Sequence, residues 1–150
     1  MKNYLKSLVV GIAFSLSLAG AAFADALNVD SNGLAVQGYD VVAYFTQDKP
    51  VKGQSSFQYE HDGGTYYFSS AANRDVFASD PEKYVPAYGG YCAYGLAQGS
   101  KVPIEPDKFT IVDGKLYLNF NAPVQSTWEK DIPGYITKAD KNWTTVGRDS

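Results

Sequence analysis

Phe57-Gln58-Tyr59-Glu60-His61-Asp62-Gly63-Gly64-Thr65-Tyr66-Tyr67-Phe68 is the stretch whose reading decides the fold. Its two halves, 57–60 and 65–68, are aromatic and β-favouring, and they flank an Asp-Gly-Gly turn. That combination predicts a β-hairpin, because aspartate and glycine accept the left-handed backbone of a tight turn. Immediately downstream, Ser69 or Ser70 offers an oxygen to the free N–H groups of a helix predicted over 71–79. Asp80-Pro81-Glu82 restarts a helix, with Asp80 as cap and Pro81 where a missing N–H costs nothing. Ala72, Val76, Phe77 and Tyr84 are the expected core-facing side chains of this unit.

A second unit repeats the layout without repeating the residues. Runs 109–112 and 115–119 flank Asp113-Gly114, a strong type I′ hairpin signal. Asn121 is placed to cap a helix with Pro123 in its first turn. Val124, Trp128, Ile132, Ile136, Ala139 and Trp143 recur at spacings of three and four, which marks an amphipathic helix. Pro133 should kink or split it, with Asp131 capping the second piece. Before the first hairpin, Val41 to Phe45 is strand-like or a single helical turn, and residues 25–37 are a small, polar lead-in. Hairpins followed by helices predict an α+β fold: two β-hairpin/helix units packed into one small domain, closed by a kinked C-terminal amphipathic helix. Residues 147–150 are a polar tail.

The N-terminus reads differently. Lys2 and Lys6, an apolar stretch from Leu8 to Leu18, and Ala22-Phe23-Ala24 are the three parts of a secretory signal peptide. The apolar stretch is shorter than the roughly 20 residues a membrane span needs. Cleavage after Ala24 is expected to release a periplasmic or secreted protein with no membrane span. The 150-residue precursor has 13 basic and 16 acidic residues, and loss of Lys2 and Lys6 leaves 11 against 16, a net charge of −5. Such a chain lacks the basic footprint that binds phosphate backbones, which excludes nucleic acid as a partner.

Several of these segments together resemble a known family. Tyr59, Gly63, Tyr67-Phe68-Ser69, Phe77 and Asp80-Pro81-Glu82-Lys83-Tyr84 resemble the signature of the YHS domain family. Gly38-Tyr39-Asp40-Val41-Val42-Ala43-Tyr44-Phe45 resembles its opening segment. Tyr88-Gly89-Gly90-Tyr91-Cys92-Ala93 and Trp128-Glu129-Lys130-Asp131-Ile132-Pro133-Gly134-Tyr135 resemble an exported, stand-alone bacterial branch, so a YHS-like domain is expected over 38–146. The resemblance implies a metal-associated module with cysteines in the opening segment and at the hairpin-to-helix junction. Ala43, Ser69 and Asn73 stand where those cysteines would be expected, which implies that the family's thiolate site is dismantled here.

One cysteine and one histidine remain. Cys92 lies among Gly89, Gly90 and Gly95, which permit tight turns and close approach by a ligand, and among Tyr88, Tyr91 and Tyr94, which can stack or donate hydrogen bonds. A lone thiol in an oxidising compartment is buried and inert, paired with another molecule, or kept for chemistry. Its reactivity needs nearby positive charge, for which Lys101 and Arg74 are candidates. His61, in its turn, is either solvated surface or a metal ligand beside Cys92. Asp40 either caps a turn or orients a ligand, and Glu60 and Asp62 either pair as acids or face water. Asn142-Trp143-Thr144 matches a glycosylation pattern. Three functions stay open: a binding module holding a transition metal or small cofactor near Cys92, a thiol redox protein using Cys92 through a mixed disulfide or sulfenic acid, and an interaction module with no chemical site, whose partner would be another exported protein.

Overall fold

The structure is a computed structural model, and it describes residues 25–148; the expected signal peptide, 1–24, lies outside them. Ten regular elements follow in order: α1 (Val41–Gln47), β1 (Gln54–His61), β2 (Gly64–Phe68), α2 (Ala71–Ser79), α3 (Pro81–Tyr84), α4 (Ala93–Ala97), β3 (Phe109–Val112), β4 (Lys115–Leu118), α5 (Ala122–Glu129) and α6 (Ile132–Val146). This is the expected α+β layout, with short 3-10 turns at Val36–Gly38 and Ala87–Gly90. Among the described residues no helix is long and apolar enough to cross a membrane.

Both hairpins are antiparallel and turn on two residues in the left-handed region, Asp62-Gly63 (φ 47° and 86°) and Asp113-Gly114 (φ 50° and 76°). That is the type I′ geometry whose twist matches paired strands. The first turn is tighter than the sequence suggested, since His61 pairs with Gly64 inside the ladder. Of the expected caps, Ser70 accepts from Asn73 N–H (3.1 Å), Asn121 from Val124 N–H (3.0 Å) and Asp131 from Gly134 N–H (3.1 Å). Asp80 does not cap with its side chain; the break between α2 and α3 comes from its non-helical backbone (φ −157°, ψ 73°) and from Pro81. Pro133 and Asp131 split the C-terminal helix into α5 and α6.

The core has two parts. In the first, Val41, Val42 and Tyr44 of α1 meet Tyr66 and Phe68 of β2, with Phe77 and Tyr84 from the helices above. The second gathers Tyr88, Leu96, Tyr117, Trp128 and Ala139. Strand β4 stands between them: Leu116 and Leu118 enter the first part, and Tyr117 the second. Alternate side chains of a strand point to opposite faces, so one short strand serves both. Helix α2 is shallower than expected. Phe77 is its one buried residue, whereas Val76 is 41 % exposed and Ala72 also faces solvent. Residues 26–28 run along the second unit, where Asn28 N–H donates to Gly89 C=O (2.9 Å) and Ala26 N–H to Gly147 C=O.

Candidate functional site

Asp40, fully buried at the N-terminus of α1, is the best-satisfied polar group among the described residues. Its Oδ1 accepts from the N–H groups of Val42 (2.9 Å) and Ala43 (3.2 Å). Its Oδ2 accepts from Ser69 N–H (2.9 Å), Ser69 Oγ–H (2.7 Å) and Asn73 Nδ2–H (2.8 Å). The two polar residues standing where family cysteines were expected are thus donors to this carboxylate, and Ala43 has no ligating atom at all. A thiolate metal site does not fit here. The arrangement is a cap and a tertiary clasp, tying α1 to the β2–α2 junction.

Cys92 is 1 % exposed and caps α4, its Sγ accepting from Gly95 N–H (3.4 Å) and donating to Asn119 Oδ1 (3.5 Å). Burial pushes the thiol above its ordinary range, against the opposing pull of the Gly95, Phe120 and Tyr94 backbone. Such a thiol is a poor nucleophile. The expected cluster around it is not assembled. Tyr94 packs its ring on Tyr135 (5.2 Å between centroids) and Tyr91 points its hydroxyl toward Leu27 C=O (3.5 Å). The glycines beside it serve the chain itself: a Cβ on Gly89 would run into the carbonyl of Ala26. Asn142 is likewise engaged, its Nδ2 donating to Leu96 C=O at the end of α4 (2.8 Å).

His61 has a different setting from the solvated turn expected of it. It is the last residue of β1, its side chain only 20 % exposed, with its ring edge-on to Phe77 (5.9 Å, 90°). That contact aims Nε2 at Glu82 Oε1 (2.9 Å) and Asp62 Oδ2 (3.2 Å). The ligating atoms of these three residues lie within 4.8 Å of one another, so they could hold a metal ion. No local signal marks Glu82, since an acid after Asp-Pro is an ordinary first-turn residue. Only the fold brings α3 over the end of β1.

The three residues border a cavity of about 590 Å³ between the two units. From the first unit Tyr66, Val85 and Pro86 line it, and from the second Lys115, Tyr117, Asp140 and Trp143. Tyr88 and Gly89 join the two walls, and Asp25 to Leu27 form the remaining side. Tyr88, which the sequence singled out, donates its hydroxyl to Asp140 Oδ1 (2.8 Å). Burial, reinforced by that carboxylate, holds its phenol well above the usual range. Its backbone is left-handed (φ 59°), a strained state for a bulky residue of the kind that clusters at functional sites. Cys92, Asp40, Tyr91 and Tyr94 do not line this cavity.

Fold and site define a small α+β domain with an aromatic, carboxylate-bearing cavity at the seam of two hairpin/helix units and a His-Asp-Glu group at its rim. The YHS domain family model matches residues 42–88, which run from α1 to Tyr88. No curated protein and no solved structure matches the chain.

Proposed function

We propose that this protein is an exported metal-binding module, periplasmic or secreted, in which His61, Asp62 and Glu82 hold a divalent first-row transition ion. The observation that carries the reading is the convergence of one imidazole and two carboxylates, from β1, its turn and α3, within 4.8 Å. Imidazole with carboxylates suits zinc, nickel, copper or manganese, and three protein ligands leave positions for water or a bound molecule. Asp62 and Glu82 have side chains 74 % and 73 % exposed, so both can adjust to an ion. Without an ion this is a surface contact of one imidazole with two exposed carboxylates, of a kind that contributes about 0–1 kcal/mol. Cys92, buried and capping a helix, stays outside this chemistry.

Calorimetric titration of the mature protein with Zn²⁺ tests the assignment. One saturable site is expected, weakened at least about tenfold (~1.4 kcal/mol) in His61→Ala and also weakened in Glu82→Gln. Affinity unchanged in both variants, or no saturable binding at all, would sink it.

A further inference from the structure

Beyond any metal, and independently of it, we propose that the cavity between the two units binds a small organic cation carrying a methylated ammonium group. Three observations converge on that class. The volume, about 590 Å³, lies in the range of small-molecule sites and is far larger than a metal ion needs. Its lining carries four carboxylates, Asp25, Asp62, Glu82 and Asp140, against the ammonium of Lys115 and, after cleavage at Ala24, the α-ammonium of Asp25. A negative concavity with low-dielectric walls concentrates cations and repels phosphates and carboxylates.

The third observation is the disposition of the rings. Tyr88 stands 5.9 Å from Tyr117 at 57° and 6.1 Å from Trp143 at 63°, so three cavity-lining rings meet as tilted walls and do not stack flat. Aromatic walls with a carboxylate beside them are the environment that attracts a quaternary ammonium, whose charge is spread over methyl groups and whose hydration is weak. Asp140 supplies that carboxylate, and its bond from the Tyr88 hydroxyl fixes one ring against it. Tyr88, Tyr117, Trp143 and Asp140 lie outside the His61-Asp62-Glu82 group, so the ring-and-carboxylate subsite is separate from the metal ligands, and Asp62 and Glu82 add only to the cavity's overall charge.

The test uses choline and its neutral carbon isostere, 3,3-dimethylbutan-1-ol, titrated into the mature protein in EDTA by calorimetry and tryptophan fluorescence. EDTA removes any bound ion, so failure of the metal reading leaves this result untouched, and the converse holds. Choline is expected to bind at least about tenfold more tightly than the alcohol. Asp140→Asn, which keeps an acceptor for Tyr88, should weaken choline by about five- to tenfold and leave the alcohol unchanged. Trp143→Leu, with its fold verified by circular dichroism, should weaken choline likewise. Equal affinity for the two molecules, choline binding indifferent to both substitutions, or no saturation by choline in the millimolar range would overturn the proposal.

Discussion

Asp40 shows what a single residue contributes when the fold converges on it. Five donors meet its two oxygens, three of them from Ser69 and Asn73, which lie 29 and 33 positions downstream. Removing a buried acceptor leaves each donor with a desolvation cost and no partner, and hydrogen bonds to a charged group are worth about 1.5–3 kcal/mol each. Asp40→Ala is therefore expected to destabilise by about 3 kcal/mol or more, read as a lower urea midpoint at unchanged slope. Asp40→Asn, which keeps one acceptor, should lose less, and Ser69→Ala about 1 kcal/mol. A loss below about 1 kcal/mol for Asp40→Ala would show the clasp to be incidental. The sequence offered capping as one of two roles for Asp40, because an aspartate before an apolar run is a familiar cap. It gave no sign that Ser69 and Asn73 would complete the arrangement, since nothing local encodes a tertiary partner. Cys92 is the reverse case: its glycines and tyrosines looked like a ligand site, yet Tyr91 and Tyr94 pack against the chain's own residues, and Tyr88 lines a cavity that the thiol does not reach.

At the scale of the element, what was local was legible. Asp-Gly at both turns, Ser70, Asn121 and Asp131 at helix starts, and Pro133 at the split all act through neighbouring backbone, so their residue types suffice. Depth was not legible: helical spacing put Val76 inwards, but α2 lies so shallowly on the hairpin that Phe77 alone is buried. Two glycines separate the local effect from the tertiary one. Gly63 (φ 86°) and Gly89 (φ 60°) are both left-handed, but a Cβ at Gly63 meets open space, whereas at Gly89 it meets the Ala26 carbonyl. Gly63→Ala should cost about 1 kcal/mol, the backbone term alone. Gly89→Ala should cost about 1–3 kcal/mol more, because residues 26–28 must move away from the segment that Asn28 is bonded to. Thermal denaturation of the two variants side by side measures the difference; equal losses would mean that residues 26–28 are not held by this contact.

The two units meet over β4, with Leu116 and Leu118 on one side and Tyr117 on the other, and the cavity opens along that seam. Its walls come from five separate stretches of chain, which is why His61, Glu82 and Asp140 showed no common pattern beforehand. A composition of 12 tyrosines allows either a core or a pocket, and the fold uses them for both. That use has a consequence for the whole molecule at high pH. Burial raises the phenols of Tyr44, Tyr66 and Tyr88 above the ordinary value near 10, and raises the Cys92 thiol as well. In the folded protein these groups keep their protons at a pH where the unfolded chain has lost them. Stability from them is complete below the unfolded values, about 8.5 for the thiol and 10 for the phenols, and declines as pH climbs from there toward the folded values. The slope above pH 10 approaches about 1.4 kcal/mol per pH unit for each such tyrosine. Urea midpoints are expected to hold steady up to about pH 8, to ease downward as the thiol's contribution is lost, and to fall steeply between about pH 10 and 11. Tyrosinate absorbance near 295 nm would separate early titration of exposed rings from a later cooperative step coincident with the loss of circular dichroism. Smooth ionisation of all the tyrosines with the fold intact would show that these phenols are reached by solvent without unfolding, and that the seam is looser than its packing indicates.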